Sequence, residues 1–517
     1  KIPSYDAGYF SFTPGAGDCV PINIWAGQGG ITPEAAAWVT TPTWNKLQLE
    51  QTVFAASLVG DTENFISLPG GPIGFATGVE WREEKATAKY DSWQLGVIPA
   101  GSPFAAGTLL EEHSDNSNLV FRPQLGNKNE TGKFDTTDVF LEVSLPLLSD
   151  LPFVRELTLD AAGRFADYST IGESTSWKTS MVWAPIDDLA FRGSLSQAVR
   201  APNITELFGP AIGQNYRPND PCDAAQITAL AADQPGLAAN YQGNCVTSLQ
   251  AIGVDPYDSS GNYAFTDPLS ASFGGVAGGN RNLTEETADT ITYGLVYQPN
   301  FLEGLSFTVD YWEIEIEDAI SSVSAQDIVD GCYKEKSLNS AFCNLFTRNA
   351  DSSSMQHGGF NFLTSTDINF ATLETSGIDL ALSYDFSIGA HNFGATVQGT
   401  KVNEIDFYTN PADLSEVNPQ LGQILRPEEA GNVYLSWDYG DINVSFQSQY
   451  LGEMLLGTIE IETAETLYGK KVFMDETWIH NISASYNYSD EVTLYGGIKN
   501  LNEEDPFMTE NAFPTRP

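Results

Sequence analysis

Long runs of strict two-residue alternation constrain this chain more than any other feature. In 378–386, Ile378, Leu380, Leu382, Tyr384 and Phe386 fall on one face, and Asp379, Ala381, Ser383 and Asp385 on the other. Next, Val433, Leu435, Trp437 and Tyr439 oppose Asn432, Tyr434, Ser436 and Asp438. After a turn at Gly440-Asp441, Ile442, Val444, Phe446 and Tyr450 oppose Asn443, Ser445, Gln447 and Gln449. A period of two marks β-strands, because successive side chains leave opposite faces of the pleat. A transmembrane strand needs roughly 9–11 tilted residues, apolar toward lipid and polar toward a lumen. A soluble antiparallel sheet with one wet face gives the same local pattern, so the whole chain has to decide.

Fourteen candidate strands come in pairs: 48–60 with 73–88, 136–148 with 153–168, 174–185 with 188–200, 285–299 with 304–320, 366–386 with 392–408, 430–439 with 441–452 and 475–488 with 491–500. Short turns join the members of a pair. Ser149-Asp150-Leu151-Pro152, Pro185-Ile186-Asp187-Asp188, Tyr439-Gly440-Asp441 and Ser489-Asp490 carry turn-forming residues. Longer polar connections separate the pairs, at 91–135, 201–284, 321–365, 409–429 and 453–474. A soluble sandwich does not alternate tight turns with loops of this length. An outer-membrane barrel does, with short turns on the periplasmic side and long loops outside.

Aromatics gather where strands meet turns, at Tyr384 and Phe386, Trp437 and Tyr439, and Tyr486 and Tyr488. That is the place of an interfacial girdle. The strand at 303–320 breaks phase. Leu305, Phe307, Val309 and Tyr311 share a face, then Trp312, Ile314 and Ile316 take the opposite one against Glu313, Glu315 and Glu317. A bulge, or an exit from the membrane, accounts for the change. Ser324 is placed to cap a short loop helix over Ala325 to Val329. Fourteen strands alone form an open sheet with two unpaired edges, so further strands are expected.

The 517-residue chain is long for one soluble domain and ordinary for a large barrel. It has no run of about eighteen apolar residues, so no transmembrane helix is expected, and spanning strands escape such a scan. A net charge of −44 with only 24 Lys plus Arg argues against nucleic acid as a partner. The acidity fits a cell-surface protein, and equally fits solubility alone. Lys1-Ile2-Pro3-Ser4-Tyr5 lacks the build of a signal peptide and reads as the interior of a longer chain. Among five cysteines, Cys222 and Cys245, and Cys332 and Cys343, lie close together in loop segments. With no CxxC and few histidines nearby, they read as two disulfides formed in an oxidising compartment. Cys19 is left over.

The chain has no HExxH, no GxSxG and no P-loop motif. His113, His357, His391 and His480 are scattered, and His391 reads as solvated at a tight turn. With 68 acidic residues, a glycosidase-like pair carries no information. No catalytic residue is assigned and no enzyme is expected. Asp255, Asp258, Ser260, Asn262 and Asp267 make an oxygen-rich loop that suits calcium but lacks EF-hand spacing. A solvated acidic loop is the simpler reading, and no cofactor is expected. Tyr216, Tyr241, Tyr257 and Tyr263 belong to the same loop system. They are candidate ligand contacts, since tyrosine stacks on sugar faces while its hydroxyl hydrogen-bonds. Packing inside a long loop uses tyrosine equally well.

Ser196-Gln197-Ala198-Val199-Arg200-Ala201-Pro202-Asn203-Ile204-Thr205-Glu206-Leu207-Phe208 resembles the barrel motif of TonB-dependent outer-membrane receptors. So does Gly279-Asn280-Arg281-Asn282-Leu283-Thr284-Glu285-Glu286-Thr287-Ala288-Asp289-Thr290. Tyr495 to Asn502, Leu68 to Phe75 with Gly78 to Arg82, and Cys19 to Trp25 followed by Ile31 to Glu34 add to the likeness, in the family's order. The resemblance implies an all-β fold, a large antiparallel transmembrane barrel of about 22 strands. Fourteen strands as numbers 8 to 21 leave seven before and one after, with the plug and the TonB-contacting segment also outside this chain.

The resemblance implies a protein of the Gram-negative outer membrane that imports a scarce small-molecule nutrient. Large disulfide-bearing members often import oligosaccharides, and others take ferric siderophores; carbohydrate is the leaning here. Implied partners are outer-membrane lipid and lipopolysaccharide, the TonB complex and a surface lipoprotein. Arg200 and Arg281 are expected to bridge strands inside the lumen, paired with acids such as Glu206 or Glu285. A passive porin-like channel and a soluble secreted lectin or glycosidase are the rival readings.

Overall fold

The structure is a computed structural model that describes residues 30–40, 42–91, 129–408, 417–455 and 473–506, with single positions 25, 95, 466 and 469. Cys19, its motif up to Ile24, and His113 lie outside the described residues. Fourteen long strands form one antiparallel meander. They are β1 Asn45–Asp61, β2 Gly74–Tyr90, β3 Glu130–Leu151, β4 Val154–Tyr168, β5 Gly172–Ile186, β6 Leu189–Arg200 and β7 Glu286–Tyr297. Then follow β8 Leu305–Ser322, β9 Phe360–Ile388, β10 His391–Tyr408, β11 Glu429–Tyr439, β12 Ile442–Leu451, β13 Thr477–Ser489 and β14 Val492–Ile498. Each pairs with the next. Among the described residues no ladder joins β1 to β14, so the wall is an open arc.

Alternation sorts the two faces of this arc. Val139, Leu141, Leu195, Ile291, Leu380, Val397 and Leu435 are exposed on one side, as a lipid-facing wall requires. The other side carries charge. Arg164 Nη2 reaches Asp138 Oδ2 at 2.7 Å. Arg192 holds Asp310 in a two-pronged contact, Nε to Oδ1 at 2.7 Å and Nη2 to Oδ2 at 2.5 Å. Gly294 stands between these two residues in the cross-strand row. A side chain there would meet Asp310 Oδ1 at 2.2 Å, so only glycine lets the arginine reach across β7.

The charged side is the concave one. Directly after β6, the short helix Ile204–Phe208 packs on Ala86 of β2 and Phe134 of β3. A chain can return to strands that far back only along a chord through the inside of the arc. Among the described residues no helix is long and apolar enough to cross a membrane.

The phase change in β8 is not a bulge at Tyr311. Its ladder with β7 runs unbroken from Phe307 to Glu317 and that with β9 from Leu305 to Ile316, where the first shift follows, between Ile316 and Ala319. What changes is the surroundings: above Tyr311 the outer face turns acidic and the inner face apolar. Gln197, Asp289, Glu315, Glu374 and Asp406 form one cross-strand row on that outer face, flanked by Glu313 and Glu317. At the tight-turn end, His391 is part of the aromatic girdle rather than free in solvent. Its ring lies 4.4 Å from that of Tyr439, and Trp437 Nε1 donates to its Nδ1 at 3.1 Å.

Candidate functional site

The long connections β6–β7 and β8–β9 fold together as one small capping unit. Asp223 caps a helix over Ala224–Asp233 by accepting from Ala225 N, and a second helix, Pro235–Ala251, follows immediately. The Cys222–Cys245 disulfide ties the second helix to the start of the first, with Cα atoms 5.4 Å apart. In the other connection, Ser324 caps a helix over Ala325–Lys334, where the sequence placed one. Cys332–Cys343 closes the next turn at a Cα separation of 4.8 Å. Leu249, Phe265 and Tyr333 share a core with Cys222, Cys245 and Cys332. Residues 273–278 add a small sheet, antiparallel to 212–216 and parallel to 363–366.

At the centre of the cap lies an ion pair that sequence reasoning missed. Arg348 and Asp220 have side chains 3% and 0% exposed. The guanidinium donates to both carboxylate oxygens, at 2.7 and 2.8 Å. It also donates to Gly358 O and the Tyr333 hydroxyl, each at 2.8 Å, and lies 4.3 Å from the Phe360 ring centroid. Four of the five guanidinium N–H donors are thus used, and a charge buried this deeply needs such pairing. The two residues are 128 apart in sequence, so no spacing signals the pair.

The four candidate tyrosines divide. Tyr241 is buried in the cap core at 8% exposure. Tyr263 donates its hydroxyl to Cys222 O at 2.6 Å, and burial with nearby Asp220 pushes the phenol well above its usual range. Tyr216 donates to Val276 O at 3.1 Å and is half-buried against Phe273. Tyr257 alone is exposed, edge-on to Tyr263.

The oxygen-rich loop is organised by turns. Asp258 accepts the Asn262 and Ser260 amides at 2.9 and 2.7 Å, bonds that lower its carboxyl pKa. Asp267 pairs with Arg217 at 2.8 Å. Among the described residues no group of three or more His, Cys, Asp or Glu side chains is placed to hold a metal ion.

The cap is anchored to the inner wall by the segments that carry the two arginine motifs. Asn203 and Glu206 close a capping box on the helix 204–208. Arg200 pairs with Glu206 and, at 3.2 Å, with Glu286. Arg281 reaches Glu130 on β3 at 3.0 Å and lies 5.1 Å from the Phe208 ring centroid. The sequence expectation of Glu206 or Glu285 therefore holds for Arg200 and Glu206, while Glu130 is the partner of Arg281. Lower on the same wall, Glu142, Asp160, Lys178 and Ser180 line a concavity of about 560 Å³ across β1 to β5. The arrangement offers hydrogen-bonding and charged groups along an inner path beneath a disulfide-bonded cap.

A family model described as TonB dependent receptor-like, beta-barrel, matches residues 35–501. The fold is similar to that of the siderophore receptor PirA of Acinetobacter baumannii, at 14% identity and a TM-score of 0.53, covering 89% of this chain and 51% of that one. It is also similar to a mutant ferric enterobactin receptor, PfeA of Pseudomonas aeruginosa, in complex with enterobactin. There the identity is 13% and the TM-score 0.50, over 88% of this chain and 49% of that one. At such identity the likeness concerns the fold alone. The chain spans about half the length of these solved structures.

Proposed function

We propose, from the premise that this chain belongs to the TonB-dependent receptor β-barrel family, that it supplies wall and outer loops of an active importer for a scarce small-molecule nutrient. Such barrels reside in the Gram-negative outer membrane. The observation that carries the reading is the disulfide-stapled cap, fixed to the inner wall through helix 204–208 and Arg281. A rigid cap over a charged inner path captures a solute and hands it inward. The energising partner is TonB, acting on a plug contributed by sequence outside these residues. The charged inner wall offers a solute successive weak polar contacts, which favour passage over retention.

Carbohydrate as cargo rests on loop size and on loop aromatics, and packing uses three of the four candidate tyrosines. Tyr257 is the one left to meet a ligand. The solved structures of similar fold include receptors for siderophores, and a ferric siderophore is the cargo we test first. In the source bacterium, deleting the gene should abolish growth on the limiting nutrient, and depleting TonB should do the same. Uptake that persists without TonB would overturn active import in favour of passive diffusion. Release of the protein by a salt wash without detergent would overturn the membrane reading altogether.

A further inference from the structure

We propose that the cargo is uncharged and passes along a lane of amides, hydroxyls and one tyrosine ring on the inner face of β10–β13. The inference rests on the reading of the chain as an importer and adds the class of its solute. Three successive cross-strand rows build the lane. The one farthest from the tight turns runs from Gln398 through Asn432 to Gln449. The next runs from Thr396 through Tyr434 and Gln447 to Asn481. The third crosses Gly394, Ser436, Ser445 and Ser483, and its last two hydroxyls lie 2.6 Å apart. These residues alternate with Val397 and Leu435 of the outer wall, so they project to the concave side.

No charged side chain stands in these three stretches of β10–β13. The inner wall does carry cations on β2–β8, and each arginine there is held by an acid of the same wall. Glu84 lies 3.5 Å from Arg82, Asp138 2.7 Å from Arg164, Asp310 2.5 Å from Arg192 and Glu286 3.2 Å from Arg200. Lys178 shares a cross-strand row with Glu142, with only Ala162 between them. An anionic cargo leaving water needs a cation to receive it, and these strands keep none in reserve. The net charge of −44 adds repulsion.

An uncharged solute fits what the lane offers. Gln398, Asn432 and Gln449 are exposed, and each amide both donates and accepts, so it pairs with a hydroxyl or a carbonyl alike. Tyr434 is 47% exposed beside them, which leaves its ring open to the apolar face of a solute. Same-face rows along a strand stand about 7 Å apart, so a small solute lets go of one row as it reaches the next. Neutral oligosaccharides and neutral ferric trihydroxamates share this chemistry. A ferric tris-catecholate, which carries net negative charge, does not.

The test uses the full-length protein in cells and three labelled probes. Ferrichrome is the neutral trihydroxamate, a linear glucose oligosaccharide the neutral sugar, and ferric enterobactin the anionic complex. TonB-dependent uptake should favour one neutral probe over ferric enterobactin by at least about tenfold, and which one is taken separates the two sources. For that probe, Tyr434→Ala should lower the maximal uptake rate about tenfold, while Tyr434→Phe, which keeps the ring, stays near wild type. Binding to TonB-depleted cells should be the same in all three proteins. Heat-modifiable gel migration checks that each barrel is folded; if Tyr434→Ala fails to assemble, Gln447→Ala is read in its place. Uptake of neither neutral probe, a preference for ferric enterobactin, or unchanged uptake in Tyr434→Ala overturns the proposal. So does entry of a large antibiotic through Tyr434→Ala without TonB, which would give these rows to the seating of a plug. Probe uptake that persists without TonB overturns the importer itself, and is thereby told apart.

Discussion

Arg348 and Asp220 show what a full charge costs inside a loop. The pair is buried with all its partners in place, and removing one side strands the other. Arg348→Met should destabilise the cap by about 3–5 kcal/mol. Combining it with Asp220→Leu should recover most of that loss, because no unpaired charge then remains. Rates of limited proteolysis within 201–284, measured on the folded barrel, read both effects. Asp330, on helix 325–334, gives a pH signature. Burial raises its pKa above the ordinary carboxylate value, partly offset by the hydrogen bond from Gln326. The folded cap then binds more protons than the unfolded one in the window just above the ordinary value. Cap stability therefore falls as pH rises through that window. Asp330→Asn should remove this slope in pH-dependent proteolysis and protect the cap at neutral pH. None of these three residues was legible in the sequence, since burial of an ion pair depends on contacts between two loops that share no local pattern.

Among elements, what the sequence revealed depended on how local the signal was. All fourteen strands were legible, because alternation is imposed residue by residue wherever one face meets lipid. Their ends were less so. The structure extends β3 to Glu130–Leu151 and β9 to Phe360–Ile388, beyond the lipid band where alternation lapses. The helix after Ser324 was signalled by its cap, whereas Ala224–Asp233 and Pro235–Ala251 were read as loop. The signal was there: Asp223 as a cap before an alanine-rich run, and Pro235 at the first turn of the next helix. The disulfides were legible from spacing. Replacing Cys222 and Cys245 together by serine should cost the cap about 3 kcal/mol. New protease cuts should appear between 222 and 245 while heat-modifiable migration of the barrel stays unchanged. Intact resistance to protease would mean that the shared core alone holds the two helices.

Across the whole molecule, the inner and outer walls exchange character above the lipid band. Inside the band the outer wall is apolar and the inner wall charged. Above it, Asp289, Glu315, Glu374 and Asp406 face outward in one row, next to Glu313 and Glu317. Replacing Glu315 and Glu374 by glutamine should let labelled barrels in vesicles approach more closely at low salt, read as greater energy transfer between them. At about 1 M salt, where the screening length is about 3 Å, variant and wild type should behave alike. That acidic row has a meaning for a crowded membrane. Two barrels drifting flank to flank meet like charge before their hydrophobic walls touch, over a range of about 10 Å at ~0.1 M salt. The wall thus carries its own spacer, and the packing of these receptors across a cell surface becomes a property that the ionic strength of the surrounding water adjusts.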